Sequence, residues 1–168
     1  MPSLICGFSA GVLLVVPFLN NSMCCLIVPA AAIFSLFLFK KGNRLERKIT
    51  AKEGMLLGLF TGLFAALFAS MFDIFITFIS HTNQLVQTLP EIEEAFSDFS
   101  ESHLFKQALT MMGEMAVDIQ NTGFSPFYAL TVIVNNFTFY VILGFFAGLA
   151  GINLVNRNNS SKISDNQL

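Results

Sequence analysis

The chain contains 168 residues, of which 54% are hydrophobic and only 12% are charged, whereas soluble domains carry roughly 25% charged residues. This composition excludes an ordinary water-soluble domain and indicates a membrane protein with room for a single domain. Six of the nine Lys and Arg residues lie between Lys40 and Lys52, while residues 81–123 hold one Lys and seven carboxylates, so charge is segregated along the chain.

Two apolar stretches, at residues 4–19 and 23–39, are the first predicted elements. Each is close to the lower limit of roughly 17 residues for a helix that crosses a bilayer. The polar sequence Asn-Asn-Ser at residues 20–22 predicts a tight turn between them, and Pro17 and Pro29 predict kinks on either side of it. The pair is interpreted as a helical hairpin, formed either by two short spans or by a re-entrant pair. Both alternatives return the chain to its starting side.

A basic cluster follows the hairpin. Its members are Lys40, Lys41, Arg44, Arg47, Lys48 and Lys52. Basic loops stay on the cytoplasmic side of a membrane, whereas long acidic loops can cross it. The cluster therefore predicts that both termini are cytoplasmic and that residues 81–123 are extracytoplasmic. Clusters of this kind can also bind anionic lipid headgroups, which is the functional alternative to a purely topological role.

The third predicted helix begins after a capping box. Thr50 and Glu53 have the Thr-x-x-Glu spacing of such a box, so we expect the helix to begin at Ala51. Its apolar run extends over residues 51–79, roughly 43 Å at 1.5 Å per residue. That length exceeds the roughly 30 Å of the hydrocarbon core, so the helix must tilt or protrude.

The acidic insert at residues 81–123 contains two amphipathic patterns. Thr88 and Pro90 have the order of an N-cap and an early helical proline, which predicts the start of one helix. Apolar residues at helical spacing over residues 104–119 predict a second, which Gly123 can end. Neither pattern is apolar all round, so we expect both helices to lie on the membrane surface or to fold back over the bundle.

The fourth predicted helix covers residues 125–155. Ser125 and Pro126 indicate its start, and Arg157 anchors its cytoplasmic end. Residues 156–168 are polar and are expected to be disordered. The predicted fold is therefore all-α, a single four-helix domain over residues 1–155 in the inner membrane, with the acidic insert outside and both termini inside.

Small residues at four-residue spacing mark faces where membrane helices can approach closely. The third helix carries the longest such row, and Phe residues at the same step lie on its opposite side. Shorter rows occur on the first and fourth helices. The residues of the three rows are Gly54, Gly58 and Gly62, Gly7 and Gly11, and Gly144 and Gly148. The rows predict either packing within the bundle or an interface with a second copy or a partner.

Asp73 is the only carboxylate deep in an apolar run. It lies about 20° around the helix from Gly62, so it points with the glycines. An ionisable residue inside a membrane is costly and is a functional candidate for that reason. Asn136, which shares a face with Tyr140, lies at a similar depth and is its predicted partner. Three interpretations remain open: a clamp that fixes helix register, proton or cation handling, and a solvent-exposed interfacial Asp73.

The sequence contains no pattern typical of an enzyme. A Gly-rich phosphate loop, paired catalytic carboxylates and a Ser/His/Asp arrangement are all absent from it. His81 and His103 show no recurring ligand spacing, and Cys6 with the pair Cys24 and Cys25 does not form a metal-binding pattern. We therefore expect no enzymatic activity, no cofactor, no bound metal and no nucleic-acid partner.

The order of these parts resembles one family of small membrane proteins. The matching segments are Gly-Phe-Ser-Ala-Gly at residues 7–11, the Asn- and Cys-rich turn at 20–25, Glu-Gly-Met-Leu-Leu-Gly at 53–58, and Gly-Phe-Phe-Ala-Gly at 144–148. With the amphipathic outer segment, they resemble an uncharacterised bacterial family, of the kind frequent in Bacteroidetes-type genomes, that is a domain of unknown function. The resemblance implies four helices and no assigned activity.

Two functions fit this pattern. The first is an accessory or structural subunit whose helices anchor it in the lipid bilayer and whose acidic insert binds a protein partner. The second is a small oligomeric transporter or channel in which Asp73 and Asn136 line a polar path. The insert favours the first function because a simple carrier would not need it, and the buried carboxylate favours the second. A protein partner or a homo-oligomer is expected in either case.

Overall fold

The computed structural model describes residues 1–43, 47–95 and 103–165, and it describes side chains there except at 17–25, 84, 93 and 158–165. The predicted headgroup residue Arg44 and the side chains of Cys24 and Cys25 lie outside this description. The described residues form six α-helices and contain no strand. They divide into two compact units, a first unit of Met1–Phe72 with Ile133–Leu168 and a second unit of Asp73–Val132.

The first two helices meet at a break that lies earlier in the chain than the predicted turn. Helix α1 covers Pro2–Val15 and α2 covers Pro17–Gly42. Val16 between them is extended, with φ −68° and ψ 118°. The predicted turn at residues 20–22 is wrong, because these residues lie inside α2. A residue that precedes proline is disfavoured in the helical conformation, and proline fits the first position of a new helix. Pro17 therefore places the break.

Helix α3 covers Ala51–Ser80 and begins as the capping box predicts. The backbone N–H of Thr50 donates to Glu53 Oε2 at 2.9 Å, and the Glu53 N–H donates to Thr50 Oγ1 at 3.4 Å. Two backbone donors at the helix start are thereby satisfied.

The second unit contains the amphipathic helices α4, Gln84–Ala95, and α5, His103–Thr122. Helix α4 begins earlier than the Thr88 that the pattern predicted. Asn83 is its N-cap, and its Oδ1 accepts a hydrogen bond from the Val86 N–H at 2.9 Å, which leaves Pro90 within the helix. Helix α5 ends before Gly123 as predicted, and the positive φ of 74° at Gly123 is the conformation that favours glycine.

Helix α6 covers Pro126–Asp165, which is longer than predicted. It begins after the buried Ser125, in agreement with the sequence analysis. The expected disordered tail over residues 156–168 is wrong as far as Asp165, and residues 166–168 lie outside the description. No proline or glycine follows Gly151, so no residue of that kind interrupts the helical hydrogen bonds.

Three alanines of α3 belong to a core cluster of the first unit. Ala65, Ala66 and Ala69 of α3 are almost fully buried with Ala10 and Leu14 of α1. Val28 and Tyr140 complete this cluster. Helices lined by such short side chains can bring their backbones close together.

Candidate functional site

The glycine row of α3 lies against α6 within the first unit. A Cβ added at Gly58 would lie 2.7 Å from Gly148 Cα and would also meet the carbonyl oxygen of Gly144. A Cβ at Gly144 would in turn lie 2.5 Å from the Gly58 carbonyl oxygen and 3.0 Å from Gly62 Cα. The obstructing atoms are backbone atoms, which cannot rotate away. The glycines therefore allow direct backbone contact between α3 and α6.

The other face of α3 packs against α1. A Cβ at Gly7 would lie 2.5 Å from Phe64 Cβ, and one at Gly11 would lie 2.7 Å from Phe68 Cβ. The ring of Phe8 lies edge-on to that of Phe68, with centroids 5.0 Å apart. The Gly row and the Phe-bearing side of α3 thus contact different helices, α6 and α1 respectively.

Asn136 is buried in the first unit together with Tyr140. Asn136 is 6% exposed, and its Nδ2 donates to the Oγ of Ser70 on α3 at 3.1 Å. Its neighbour Asn135 is exposed, as the helical pattern indicates. Asp73 is partly buried and belongs to the second unit, and its contact with Asn136 stays a prediction. The arrangement makes Asn136 a polar contact between α3 and α6.

A second polar contact joins α2 to α3. The hydroxyl oxygens of Ser35 and Thr61 lie 3.1 Å apart, and both side chains are fully buried. Ser35 Oγ is 3.0 Å from the Ala32 carbonyl oxygen, and Thr61 Oγ1 is 2.7 Å from that of Leu57. The two hydroxyls supply two protons for these three contacts, so the bond across the interface forms when one hydroxyl donates to the other instead of to its own helix. Both hydroxyls are hydrogen-bonded in every arrangement, which is how buried polar groups avoid a desolvation cost.

Side chains at one end of the first unit tie the basic cluster to α6. The amide of Asn156 contacts both backbone groups of Ile49: its Oδ1 accepts from the N–H at 2.9 Å and its Nδ2 donates to the carbonyl at 3.1 Å. Lys40 Nζ donates to the Val155 carbonyl at 3.2 Å. We call this part of the protein, residues 40–53 with 155–157, the basic end.

The basic end contains one ion pair among the described residues, between Arg47 and Glu53. Hydrogen bonds to Glu53 raise the pKa of the Arg47 guanidinium above its ordinary value, so the pair remains ionised. Lys41, Lys48 and Lys52 are exposed. Their charges remain available to an anionic surface or ligand.

Within the second unit, α5 has one buried and one exposed side. Met115, Ala116 and Ile119 are buried. Leu104 and Met111, 77% and 43% exposed, lie seven residues apart, and Asp118 follows at the same step and is also exposed. Two helical turns separate residues seven apart, so these three exposed side chains share a face, which borders the buried Met115 at about 20–60° around the helix. The face is apolar at its start and acidic at its end.

The described residues contain no group of three or more His, Cys, Asp or Glu side chains that could hold a metal ion. Cys6 is buried in α1. The ring of His81 lies 3.4 Å from the Gln120 carbonyl oxygen, and His103 is exposed at the start of α5.

Sequence reasoning did not find the Asn156 contacts or the Ser35–Thr61 pair. Asn156 fell in the expected tail, and an isolated Asn carries no signal that it bonds to a distant backbone. Ser35 and Thr61 each interrupt an apolar run, which is the available signal for a buried polar contact between membrane helices. The spacing alone did not show that the two interruptions meet.

One family model matches residues 4–151, and its description is protein of unknown function (DUF4199). Because the match covers most of the chain, the chain belongs to this family. This agrees with the resemblance to an uncharacterised family. No curated protein and no solved structure matches the chain.

Proposed function

We propose that this member of a family without an assigned activity is a multi-pass inner-membrane protein that acts as a non-enzymatic accessory or structural subunit. Its helices anchor it in the bilayer, and the exposed face of α5 binds a protein partner. Both termini are cytoplasmic, and residues 81–123 are extracytoplasmic. The observation that carries the proposal is the outward-facing apolar surface of its longest apolar helices.

Two helices, Ala51–Ser80 and Pro126–Arg157 within α6, are long and apolar enough to cross a membrane, with mean hydropathies of 2.1 and 1.9. Only 39% and 28% of their most apolar windows are buried, whereas the core helix of a soluble protein is mostly buried. Side chains such as Phe75, Phe139 and Phe146 are about 60% exposed. A bilayer supplies the apolar surroundings that these side chains need.

The first two helices complete the proposed membrane domain as a short hairpin. Helix α1, with 14 residues, is about 21 Å long and is shorter than the roughly 30 Å hydrocarbon core. Helix α2, with 26 residues, is about 39 Å long. Leu14 of α1 contacts the same core cluster as Val28 of α2, so residues 28–42 run alongside α1. This geometry favours a hairpin that enters from the basic end and returns to it.

The partner surface is assigned to α5 because its exposed face combines two features of interfaces. Leu104 and Met111 supply apolar side chains, and Glu114 and Asp118 supply charge. Methionine adapts to irregular partner surfaces, and acidic groups select a partner by charge. The chemistry fits a partner with a mixed apolar and basic surface.

The proposal is tested by purifying the tagged full chain in a mild detergent and measuring the mass and composition of the intact complex. We expect a fixed stoichiometry with another polypeptide, which Asp118→Lys disrupts. Lys106→Glu is the matched control, because Lys106 is exposed and lies about 200° around the helix from Leu104. A monomer or homo-oligomer without another polypeptide would contradict the accessory function and favour the transporter alternative with Asp73 and Asn136.

A further inference from the structure

An apolar groove of about 880 Å³ lies within the first unit. Three segments form it: the start of α1, the end of α2 and the first half of α3. Leu4 and Ile5, Leu38 and Phe39, and Phe60 and Phe64 line it. The volume is in the range of roughly 300–1,000 Å³ that small-molecule sites have. Leu4, Ile5 and Phe60 are 41%, 57% and 42% exposed, so its walls are open to an apolar occupant.

Gly42 leaves one part of the groove open. It lines the groove at the end of α2, and a Cβ placed on it would meet nothing within 4 Å. The contrast with Gly58 is large, since a Cβ there meets backbone atoms of α6. Gly42 is therefore not needed for close packing, and a larger side chain at this lining position does not displace a helix.

The chain segment that begins at the α2 end of the groove is positively charged. Its described residues within 40–53 include five Lys and Arg and one carboxylate, which leaves a net charge of +4 from five minus one. Lys41 is exposed and is the direct neighbour of Gly42. Glu53 lies one turn before the lining Leu57, and its charge is balanced by Arg47. An apolar groove with cations at its end matches an amphiphile that has an anionic head.

We propose that the groove is a binding site for an anionic phospholipid, with one acyl chain along the apolar lining and the phosphate near Lys41. This inference rests on the membrane location given under the proposed function. Anionic lipids are concentrated in the cytoplasmic leaflet, where juxtamembrane Lys and Arg residues attract them. A site of this kind differs from general lipid contact because it selects the headgroup and occupies one place on the protein.

The test uses the full chain reconstituted in vesicles of phosphatidylcholine and phosphatidylglycerol. In each experiment, a trace amount of one of the two lipids carries a photoactivatable group on its acyl chain. Cross-linked peptides are mapped after illumination. We expect the phosphatidylglycerol probe to label residues 1–5, 38–43 and 57–64 about fivefold more than the phosphatidylcholine probe, the preference that about one lysine near the surface confers.

Two pairs of variants distinguish the contribution of the apolar groove from that of the nearby positive charge. Gly42→Leu adds a bulky side chain at a lining position and is expected to abolish the selective labelling of these three segments. Gly113→Leu is its control, because a Cβ at Gly113 also meets nothing within 4 Å and Gly113 is remote from the groove in sequence. Lys41→Gln is expected to remove the preference for phosphatidylglycerol while labelling persists, and Lys106→Gln is expected to leave it unchanged.

Several outcomes would overturn the lipid site. Equal labelling by both probes, spread over the exposed apolar faces of α1, α3 and α6, would mean general lipid contact only. Shielding of the three segments from both probes would assign the groove to a protein surface. Failure of the protein to float with vesicles of any composition would contradict the membrane location itself, whereas flotation with uniform labelling would contradict the groove alone.

Discussion

Gly58 and Gly113 both lie in helices, yet their surroundings differ so much that substitution by alanine is expected to change stability in opposite directions. A Cβ at Gly58 meets the backbone of α6, whereas a Cβ at Gly113 meets open space. Gly58→Ala is therefore expected to lower the free energy of unfolding by about 2 kcal/mol through overpacking. Gly113→Ala is expected to raise it by about 0.5–1 kcal/mol, because alanine is the better helix former.

Thermal unfolding of the detergent-solubilised variants, followed by circular dichroism, measures both effects. The decisive observation is the opposite sign of the two shifts. A Gly58→Ala protein that melts at or above the wild-type temperature would show that α3 and α6 do not make the close backbone contact described here.

At the scale of single residues, the sequence predicted which helix faces pack against other helices. It did not predict as well which residues contact each other across those faces. Four-residue glycine spacing marked the row that contacts α6, and the helical pattern placed Asn136 on one face with Tyr140. The Ser70 partner of Asn136 and the Ile49 partner of Asn156 were not predicted. Pairing across helices depends on the crossing geometry, which periodicity along one helix does not contain.

The start of α3 allows a test at the scale of one element. Thr50 and Glu53 satisfy backbone donors at the helix start, so Thr50→Ala is expected to lower the free energy of unfolding by about 1 kcal/mol. Thr110→Ala is the matched control, because the Thr110 hydroxyl bonds only to the Lys106 carbonyl within its own exposed helix among the described residues. Chemical unfolding in micelles compares the two. Equal stability losses would argue against the capping box.

Element boundaries were predictable where a cap or a glycine determines them, and not elsewhere. The capping box gave the start of α3, and Gly123 gave the end of α5. The first break was misplaced because three polar residues at 20–22 appeared to be a turn, whereas Pro17 interrupts the helix. Polar residues are tolerated within a helix, but a residue that precedes proline resists the helical conformation.

At the scale of the whole molecule, thirty large apolar side chains are exposed among the described residues. Most soluble monomers keep their contiguous apolar patches to a few hundred Å². The same chain places its basic cluster at residues 40–52 and its acidic insert at 81–123. These two features support a protein that lies in a bilayer with the basic end in the cytoplasm.

The most direct test of this account is the sidedness of single cysteines in a variant whose three native cysteines are replaced. Lys48→Cys and Gln107→Cys substitute exposed residues of the basic cluster and of α5. In intact spheroplasts, a membrane-impermeant maleimide is expected to label the cysteine at position 107 and not the one at 48, and both after permeabilisation. Labelling of both positions before permeabilisation, or recovery of the protein outside the membrane fraction, would contradict the account.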